Sequence, residues 1–489
     1  MRARRLSALC LVALLAACTV GPNYHSPALP IPPAFAEPHT SSAGSDASLA
    51  AWWQAFGDPE LDRLVARALS QNLDVEMAAS KIREARARER AAGAASLPVV
   101  TANGSVSRQR VSENAIPVPP GAGGQTGGTG AAGLGLPGSE FTTWRVGFDA
   151  SWEIDLFGKT RRSIEAARAR SGAAIWNRRD AELTAAAEVA ADYLTLRALQ
   201  QKIATAHAEV ARQLRAEQLV AARARGGLVT GGDLEQQKSS RATATAAIPA
   251  LNAEAQARIH ALGALTGETP EALIRELSAP SILPAPPVVP AGLPSDLLRR
   301  RPDIRAAEQN LHAATADIGV ATADLYPSFS LSAAPALVST ALAKLLEWGS
   351  RSYSASAALD WPIFNGGRTR ANIAVANAQQ EQAMITYRKT ILAALRDVED
   401  SLSRIDHDRD QIASLSQARK SAARAEDIAL ERYRGGLVTY ADVLQARAGR
   451  IVLESQLVDA RSAEARDTVA LFKALGGGWP ELAQGGAQS

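Results

Sequence analysis

The chain has 489 residues, room for two to four domains, and its 46% hydrophobic content is that of a folded protein. Its 53 basic and 50 acidic residues are spread along the chain and leave a formal charge of +3, which excludes an electrostatic case for a nucleic-acid partner. Aromatic residues are few, at 5%, and gather near the segments that read as strands.

Residues 1–17 read as a signal peptide, with Arg2, Arg4 and Arg5 as its basic region and Leu6 to Leu14 as its apolar one. A plain secretory signal with an A-x-A-like cut is one reading. The order Leu15-Ala16-Ala17-Cys18 instead resembles a bacterial lipobox, in which Cys18 is acylated and becomes the N-terminus. Thr19, rather than Asp, follows it, which in the Gram-negative pattern implies sorting to the outer membrane. Cys10 leaves with the signal peptide, so the mature chain carries one acylated cysteine and no disulfide. Beyond the signal no apolar run reaches 18 residues, so a membrane-spanning form of this chain must span with strands. Residues 18–58 read as a Pro-rich, extended N-terminus.

A helix is predicted over 59–95 and a Pro-led strand over 97–107. The Gly/Pro-rich stretch 117–140 cannot hold regular structure and reads as a loop. A long strand follows over 143–157. From Trp144 to Leu156 the even positions are apolar (Trp144, Val146, Phe148, Ala150, Trp152, Ile154, Leu156) and the odd ones are polar, charged or glycine, which is the period of a two-faced strand. Residues 160–225 form a helical run in which Leu196, Leu199, Ile203, Ala206 and Val210 step by three and four, the spacing of a coiled coil. At ~1.5 Å per residue this run is about 100 Å long. Helices of that length cannot surround one globular core and must form a rod or a wall. A Gly-Gly break and a helix over 233–263 close the unit.

The same order then recurs. "WEIDLFGKTRRSI" from Trp152 returns as "WPIFNGGRTRANI" from Trp361, and "RGGLVTGGDLEQ" from Arg225 returns as "RGGLVTYADVLQ" from Arg434, both 209 residues on. Upstream of the long strands the spacing is 229, pairing Asp74 with Asp303 and Pro98 with Pro327, so the first copy carries 20 extra residues in its Gly/Pro-rich loop. The first repeat spans 59–270, a Pro-rich linker 271–293, the second repeat 294–475 and a flexible tail 476–489. In the second repeat the predicted elements are helix 296–325, strands 328–335 and 352–364, and helices 369–434 and 442–475.

The second long strand keeps the parity of the first, with Tyr353, Ala355, Ala357, Leu359, Trp361 and Ile363 on one face. A half-buried sheet in a soluble domain also alternates. Aromatics at both ends of the apolar row, Trp144 or Tyr353 at one and Trp152 or Trp361 at the other, are instead the girdle pattern of a membrane barrel, and the strands are long enough to cross. Four strands cannot close a barrel, and open edges are not tolerated in hydrocarbon, so the chain must share a barrel with other copies, whose number the sequence leaves open.

"WWQAFGDPEL" at 52–61, "LTGETP" at 265–270, "LLRRRPDIRAAEQNLHAATADIGVATADLYPSFSLSA" at 297–333 and the paired "RGGLVT" motifs resemble the outer membrane factor family, the TolC-like channels of tripartite efflux pumps, in its lipoprotein branch. The resemblance covers nearly the whole mature chain. It implies an α+β membrane protein: a homotrimer whose chains each give four strands to a shared twelve-stranded β-barrel, continued by a periplasmic α-barrel of duplicated helical hairpins. It further implies docking to an inner-membrane efflux transporter through a periplasmic adaptor protein.

The two Gly-Gly breaks read first as helix C-caps and turns. By resemblance, the second copy's segment also constricts the tunnel: Tyr433 matches the family's aperture tyrosine, Asp442 its acidic-ring residue, and Gln445 stands where some members have a second acid. An Asp442 ring in a trimer favours cations. The tips Arg225, Gly226, Gly227, Leu228, Val229 and Thr230, with Arg434, Gly435, Gly436, Leu437, Val438 and Thr439, would meet the adaptor. Asp149, Glu153, Asp155 and Asp360 read as solvated pore lining. No catalytic reading holds: "FGKT" at 157–160 lacks the first glycine of a phosphate loop, the six histidines show no ligand spacing, and Cys18 is acylated, so neither a metal site nor a cofactor other than the lipid is expected. A passive conduit for drugs or other small molecules, a type I secretion duct and a non-conducting lipid-anchored coiled-coil scaffold remain, and the strand alternation speaks against the scaffold.

Overall fold

The computed structural model describes residues 19–28, 30–37, 50–110, 112, 140–289, 292 and 294–477. Cys18, the signal peptide and the first copy's Gly/Pro-rich loop lie outside the described residues. The chain divides into two units, one holding Ala85–Ser171 and Asn310–Ala383 with the segment up to His25, the other holding Ser26–Glu84, Gly172–Gln309 and the part from Met384 on.

The first unit holds an antiparallel sheet. Its strands are β1 (Val99–Arg110), β2 (Glu140–Ile154), β3 (Ser328–Ala333), β4 (Ala336–Ser339), β5 (Arg351–Ser352) and β6 (Ala355–Asp360). β1 pairs with β2 along its whole length, β2 with β3 and β4, β3 with β6 and β4 with β5. These are four ribbons rather than six independent strands. Ala150 faces Ala333 and Gly147 faces Ala336, three residues back on β2 and three forward on its partner, so the register does not slip between β3 and β4. The interruption falls at Pro335, which has no N–H to give; its carbonyl still accepts from Phe148 N–H at 2.9 Å.

The fixed register puts one class of residue on each face. Val100, Ala102 and Val106 lie beside Ala150, Phe148 and Trp144, then Trp152 beside Leu331 and Leu331 beside Ala357. The other face carries Thr101 against Asp149 and Ser332 against Ser356. The apolar face is uncovered: Val100, Phe148 and Leu359 are each more than half exposed. The outer edges of β1 and of the β5/β6 ribbon pair with nothing among the described residues. All four ribbons differ from the prediction at their ends: β1 starts two and stops three residues late, and the predicted strand 328–335 breaks at Pro335 and resumes as β4. The first long strand runs three residues earlier than expected and stops at Ile154, and the second stops at Asp360 because Pro362 cannot continue the ladder, so Trp361 lies just past it. Both tryptophans nonetheless do the same thing: Trp152 Nε1 donates to Ser96 O at 3.0 Å and Trp361 Nε1 to Leu325 O at 3.1 Å, repeat-related carbonyls at the turn into β1 and β3.

The segment after Cys18, predicted only as extended, is clasped against this unit. The buried Arg162 guanidinium donates to Val20 O, Gly21 O and Asn23 Oδ1 at 3.2, 3.3 and 2.7 Å and pairs with Glu165. Gly21 adopts φ +89° and lies so close to Gly319 that a Cβ would sit 2.4 Å from its Cα. Tyr24 stacks on His312 at 4.4 Å, and His312 Nε2 donates to Glu165 Oε1.

The helices are α1 (Pro59–Gln71), α2 (Leu73–Ala94), α3 (Lys159–Arg225), α4 (Gly231–Thr266), α5 (Pro270–Leu277), α6 (Pro302–Ala323), α7 (Arg368–Arg434) and α8 (Tyr440–Ala474). The predicted helix 59–95 is two helices, because buried Asn72 leaves helical geometry and its Oδ1 caps α2 by accepting from Asp74 and Val75 N–H. The predicted Pro-rich linker begins with α5, whose Glu276 takes a bidentate pair from Arg67 of α1. Residues 18–58 are not wholly extended, since Trp52–Phe56 form a short 3-10 turn. That turn explains its motif: fully buried Trp52 stacks on Phe472 at 5.2 Å, Gly57 turns the chain at φ +67°, and Asp58 caps α1 while its Oδ2 accepts from Tyr193 at 2.6 Å. No helix among the described residues is long and apolar enough to cross a membrane.

Replacing Arg162 by Ala removes the donor from half-buried Val20 O and from Gly21 O and Asn23 Oδ1 on exposed residues, together with the pair to Glu165, a loss of about 1–3 kcal/mol. The variant is expected to melt at lower temperature than wild type and to be cut by protease before Asn23, read by N-terminal sequencing of the fragments.

Candidate functional site: the two hairpin tips

The tips and their supports all belong to the second unit. α3 and α7 end in the same way. Gly227 N–H donates to Ala224 O and Leu228 N–H to Arg223 O (3.0 and 2.9 Å); Gly436 N–H donates to Tyr433 O and Leu437 N–H to Arg432 O (3.1 and 2.9 Å). This double bond back into the helix needs a left-handed residue, and Gly227 and Gly436 supply it at φ +69° and +74°. The next helices start alike. Asp233 Oδ2 accepts from Thr230 N–H and Oγ1–H, and Asp442 Oδ2 accepts from Thr439 N–H and Oγ1–H at 2.9 and 2.7 Å.

Asp442 is therefore a helix-capping residue as well as an exposed one. The Thr439 hydroxyl, and then its N–H, hold the Asp442 carboxyl below the usual carboxylate range, so it is charged at neutral pH. Gln445 is exposed on the same helix. Leu228 and Leu437 stand out from the two turns, 75% and 73% exposed. Arg225 and Arg434 are exposed beside them, with Arg434 on Glu431 at 2.7 Å, while Val229 and Val438 tuck inward.

Tyr433 does not line an opening in the single chain; it is buried. With Val220 of α3 and Tyr440 and Val443 of α8 it forms a small core that joins the two hairpins. The two tyrosine rings are 5.0 Å apart, and the Arg223 guanidinium lies 5.0 Å over Tyr433. Neither phenol oxygen has a hydrogen-bond partner among the described residues.

Behind this core lies a charge network that sequence reasoning missed. Each hairpin carries the same Arg–Glu clasp, Arg241 of α4 on Glu217 of α3 and, 209 residues on, Arg450 of α8 on Glu426 of α7. The second copy adds Arg447 on Glu426 at 2.7 Å and Arg450 on Glu454 at 2.6 Å, and Arg450 reaches buried Glu209 of the first copy at 3.7 Å. Glu209 in turn accepts from Gln213, whose side chain accepts from fully buried Gln237. The signal was present as arginines at 447 and 450 on the seam side of α8, but the acids that meet them are supplied from two other helices.

The copies also diverge. Where α3 puts Leu199 and α4 Ala255, both buried, α7 puts Asp408 and α8 Glu464. Asp408 Oδ2 is buried without a hydrogen-bond partner, and burial, then the Asp467 carboxylate and Glu464, push its carboxyl up to about 6. The folded state thus holds this proton more tightly than the unfolded chain. Its contribution favours folding as pH falls through about 6 towards 4, and disfavours it above. Asp408→Leu, the first copy's residue, should raise the melting temperature at pH 7.5 and shrink the gain over wild type as pH is lowered to 5, read by differential scanning calorimetry.

The family model described as outer membrane efflux protein matches residues 64–268 and 293–477. The chain is 35% identical over 99% of its length, and of the relative's, to the pyoverdine export outer membrane protein OpmQ of Pseudomonas aeruginosa. It is 30% identical to the cation efflux system protein CusC of Escherichia coli, covering 98% of this chain and 99% of that one. Among solved structures, the outer-membrane channel OprN superposes with a TM-score of 0.84 at 31% identity, over 94% of this chain and 100% of that one. With the sheet, the paired hairpins and these likenesses together, the chain belongs to the outer membrane efflux protein family.

Proposed function

We propose that this outer-membrane efflux protein works as a homotrimer, a passive conduit that lets an energised inner-membrane transporter of the RND type expel drugs or other small molecules. The observation that carries this reading is the sheet: four ribbons, one face apolar from Val106 and Trp144 at one end to Ile154 and Leu359 at the other, with both outer edges left without a pairing partner among the described residues. A face of that kind suits lipid, and in lipid the edges must pair with other copies. Three copies complete a twelve-stranded β-barrel, and the long hairpins continue it as a periplasmic α-barrel.

The duplication supplies a register for the missing contact. β2 pairs with β3 so that Trp152 faces Leu331 and Ile154 faces Phe329. Moving both strands by their repeat spacings gives the pairing between copies: Trp361 would face Ala102 of a second copy, and Ala357 its Val106.

Acylated Cys18 would anchor the chain; it sits one residue before Thr19, which packs on Gly158 four residues past β2. The tips from Arg225 to Thr230 and from Arg434 to Thr439 present six pseudo-equivalent turns in a trimer, each with an exposed leucine, for the periplasmic adaptor to grip. Asp442 would ring the narrow end with charge, Gln445 leaving that ring single, and the Tyr433 core would hold the second hairpin shut against the first. Relatives named for pyoverdine export and for cation efflux are similar to this chain over nearly its whole length, which favours a transporter that selects and a duct that does not.

Single-channel recording in planar bilayers tests the gate. Wild type is expected to pass small, cation-preferring currents. Asp442→Asn keeps a capping acceptor and removes the charge, so it should lose the preference without opening. Asp442→Ala also loses the cap, about 1 kcal/mol, and should open wider. Inserted, oligomeric protein that conducts in none of these forms, nor with Tyr433→Ala, contradicts the conduit.

A further inference from the structure

The two rims of the apolar sheet face differ in charge. At the rim next to the helices the face ends in Trp152, Ile154, Phe329, Leu359 and Trp361, without a basic residue. At the far rim an arginine stands two residues beyond the aromatic row in each copy. Arg351 lies on the same face two residues from Tyr353, opposite Leu337, and Arg108 lies opposite Thr142, two residues from Trp144. Arg110 follows Arg108 on that face; Glu140 pairs with both, at 3.9 and 2.9 Å.

The turn between β4 and β5 adds to this rim. Its Leu342, Leu346 and Trp348 are exposed, Trp348 by 79%, and the Arg351 guanidinium is stacked 4.0 Å over the Trp348 ring. Lys344 stands in the same turn. Arg108, Arg110, Lys344 and Arg351 outnumber Glu140 and Glu347, so the rim is net basic among the described residues. A soluble loop has no use for three exposed apolar side chains beside a cation held flat on an indole. A phosphate-bearing lipid does: the apolar groups enter the acyl boundary, and the guanidinium, which forks two N–H donors, meets the phosphate just above it.

We propose that the far rim of the sheet binds the phosphate groups of a membrane-embedded glycolipid of the outer leaflet, with Arg351 on Trp348 and Arg108 as its two principal contacts. The proposal rests on the reading of the sheet as membrane-spanning. It explains why each copy places an arginine on the apolar face at the far rim, and it orients the sheet: that rim outward, Trp152 and Trp361 towards the periplasm.

The test is native mass spectrometry of the full-length oligomer released from phosphatidylcholine vesicles doped with bisphosphorylated lipid A or with its dephosphorylated form. Wild type should retain the bisphosphorylated lipid in preference to the other two. Arg351→Gln and Arg108→Gln should each weaken retention about fivefold, while Arg351→Lys, which keeps the charge without the stacked fork, should recover only part of that loss. Millimolar inorganic phosphate should not displace the lipid. Equal retention by wild type and the double Gln variant, or displacement by inorganic phosphate, overturns the proposal while leaving the barrel standing. Failure of wild type to insert into any vesicle overturns the membrane-spanning sheet and this site with it.

Discussion

A strand edge in hydrocarbon has nowhere to send its N–H and C=O groups, and each unsatisfied group costs several kcal/mol. In the proposed membrane-spanning sheet the four ribbons leave two such edges among the described residues, on β1 and on β5/β6, beneath a face that runs apolar from Val100 to Leu359. Membrane insertion and self-association are then one requirement. The internal duplication makes the requirement easy to meet, because each open edge is the repeat-related counterpart of an edge already paired inside the chain. The aromatic rows fit the same geometry. Trp152 and Trp361 are repeat-related, yet register places Trp152 level with Ala357, four residues away from Trp361. The belt therefore crosses the ribbons obliquely, which suits the proposed barrel, whose strands would be tilted to the membrane normal.

At the tips the duplication is used differently. The turn chemistry is copied nearly atom for atom, from the left-handed glycines to the Thr–Asp caps, and so is the Arg–Glu clasp behind them. What the second copy adds is polar: Arg447, Glu454 and the cross-copy contact from Arg450 to Glu209, with Asp408 and Glu464 in a layer that is apolar in the first. Buried ion networks hold register well but lose much when one member goes.

Much of this was legible in the sequence. The alternation from Trp144 to Leu156 and the repeated "RGGLVT" turn are short-range signals, and both stand in the structure as a strand, which ends at Ile154, and as a pair of matching turns. The helices predicted to open at Asp233 and Asp442 are there, beginning two residues earlier at Gly231 and Tyr440; the Thr-x-x-Asp capping box that starts them was a signal left unread. Three things were not legible. The break at Asn72 looks from sequence like one long helix, since only the tertiary contact from Asn72 Nδ2 to Leu265 O fixes that residue outside it. The strap after Cys18 has no periodicity, and its position depends on Arg162, nearly 140 residues away. Tyr433 could be matched to an aperture by resemblance, but its burial against Val220 and Tyr440 comes from packing between hairpins that no local pattern encodes.

The most direct test of the account is a cross-link between the open edges. Ala357→Cys and Val106→Cys in one chain put the paired cysteines on opposite edges of the same sheet, so any bond between them must join two copies. Outer membranes treated with a short bismaleimide should yield covalent dimers and trimers on denaturing gels, and no higher species, for this pair. A pair shifted by several residues, Ala357→Cys with Val100→Cys, should give far less. Equal yields from the two pairs would contradict the inherited register; no intermolecular product from either would contradict the shared barrel itself.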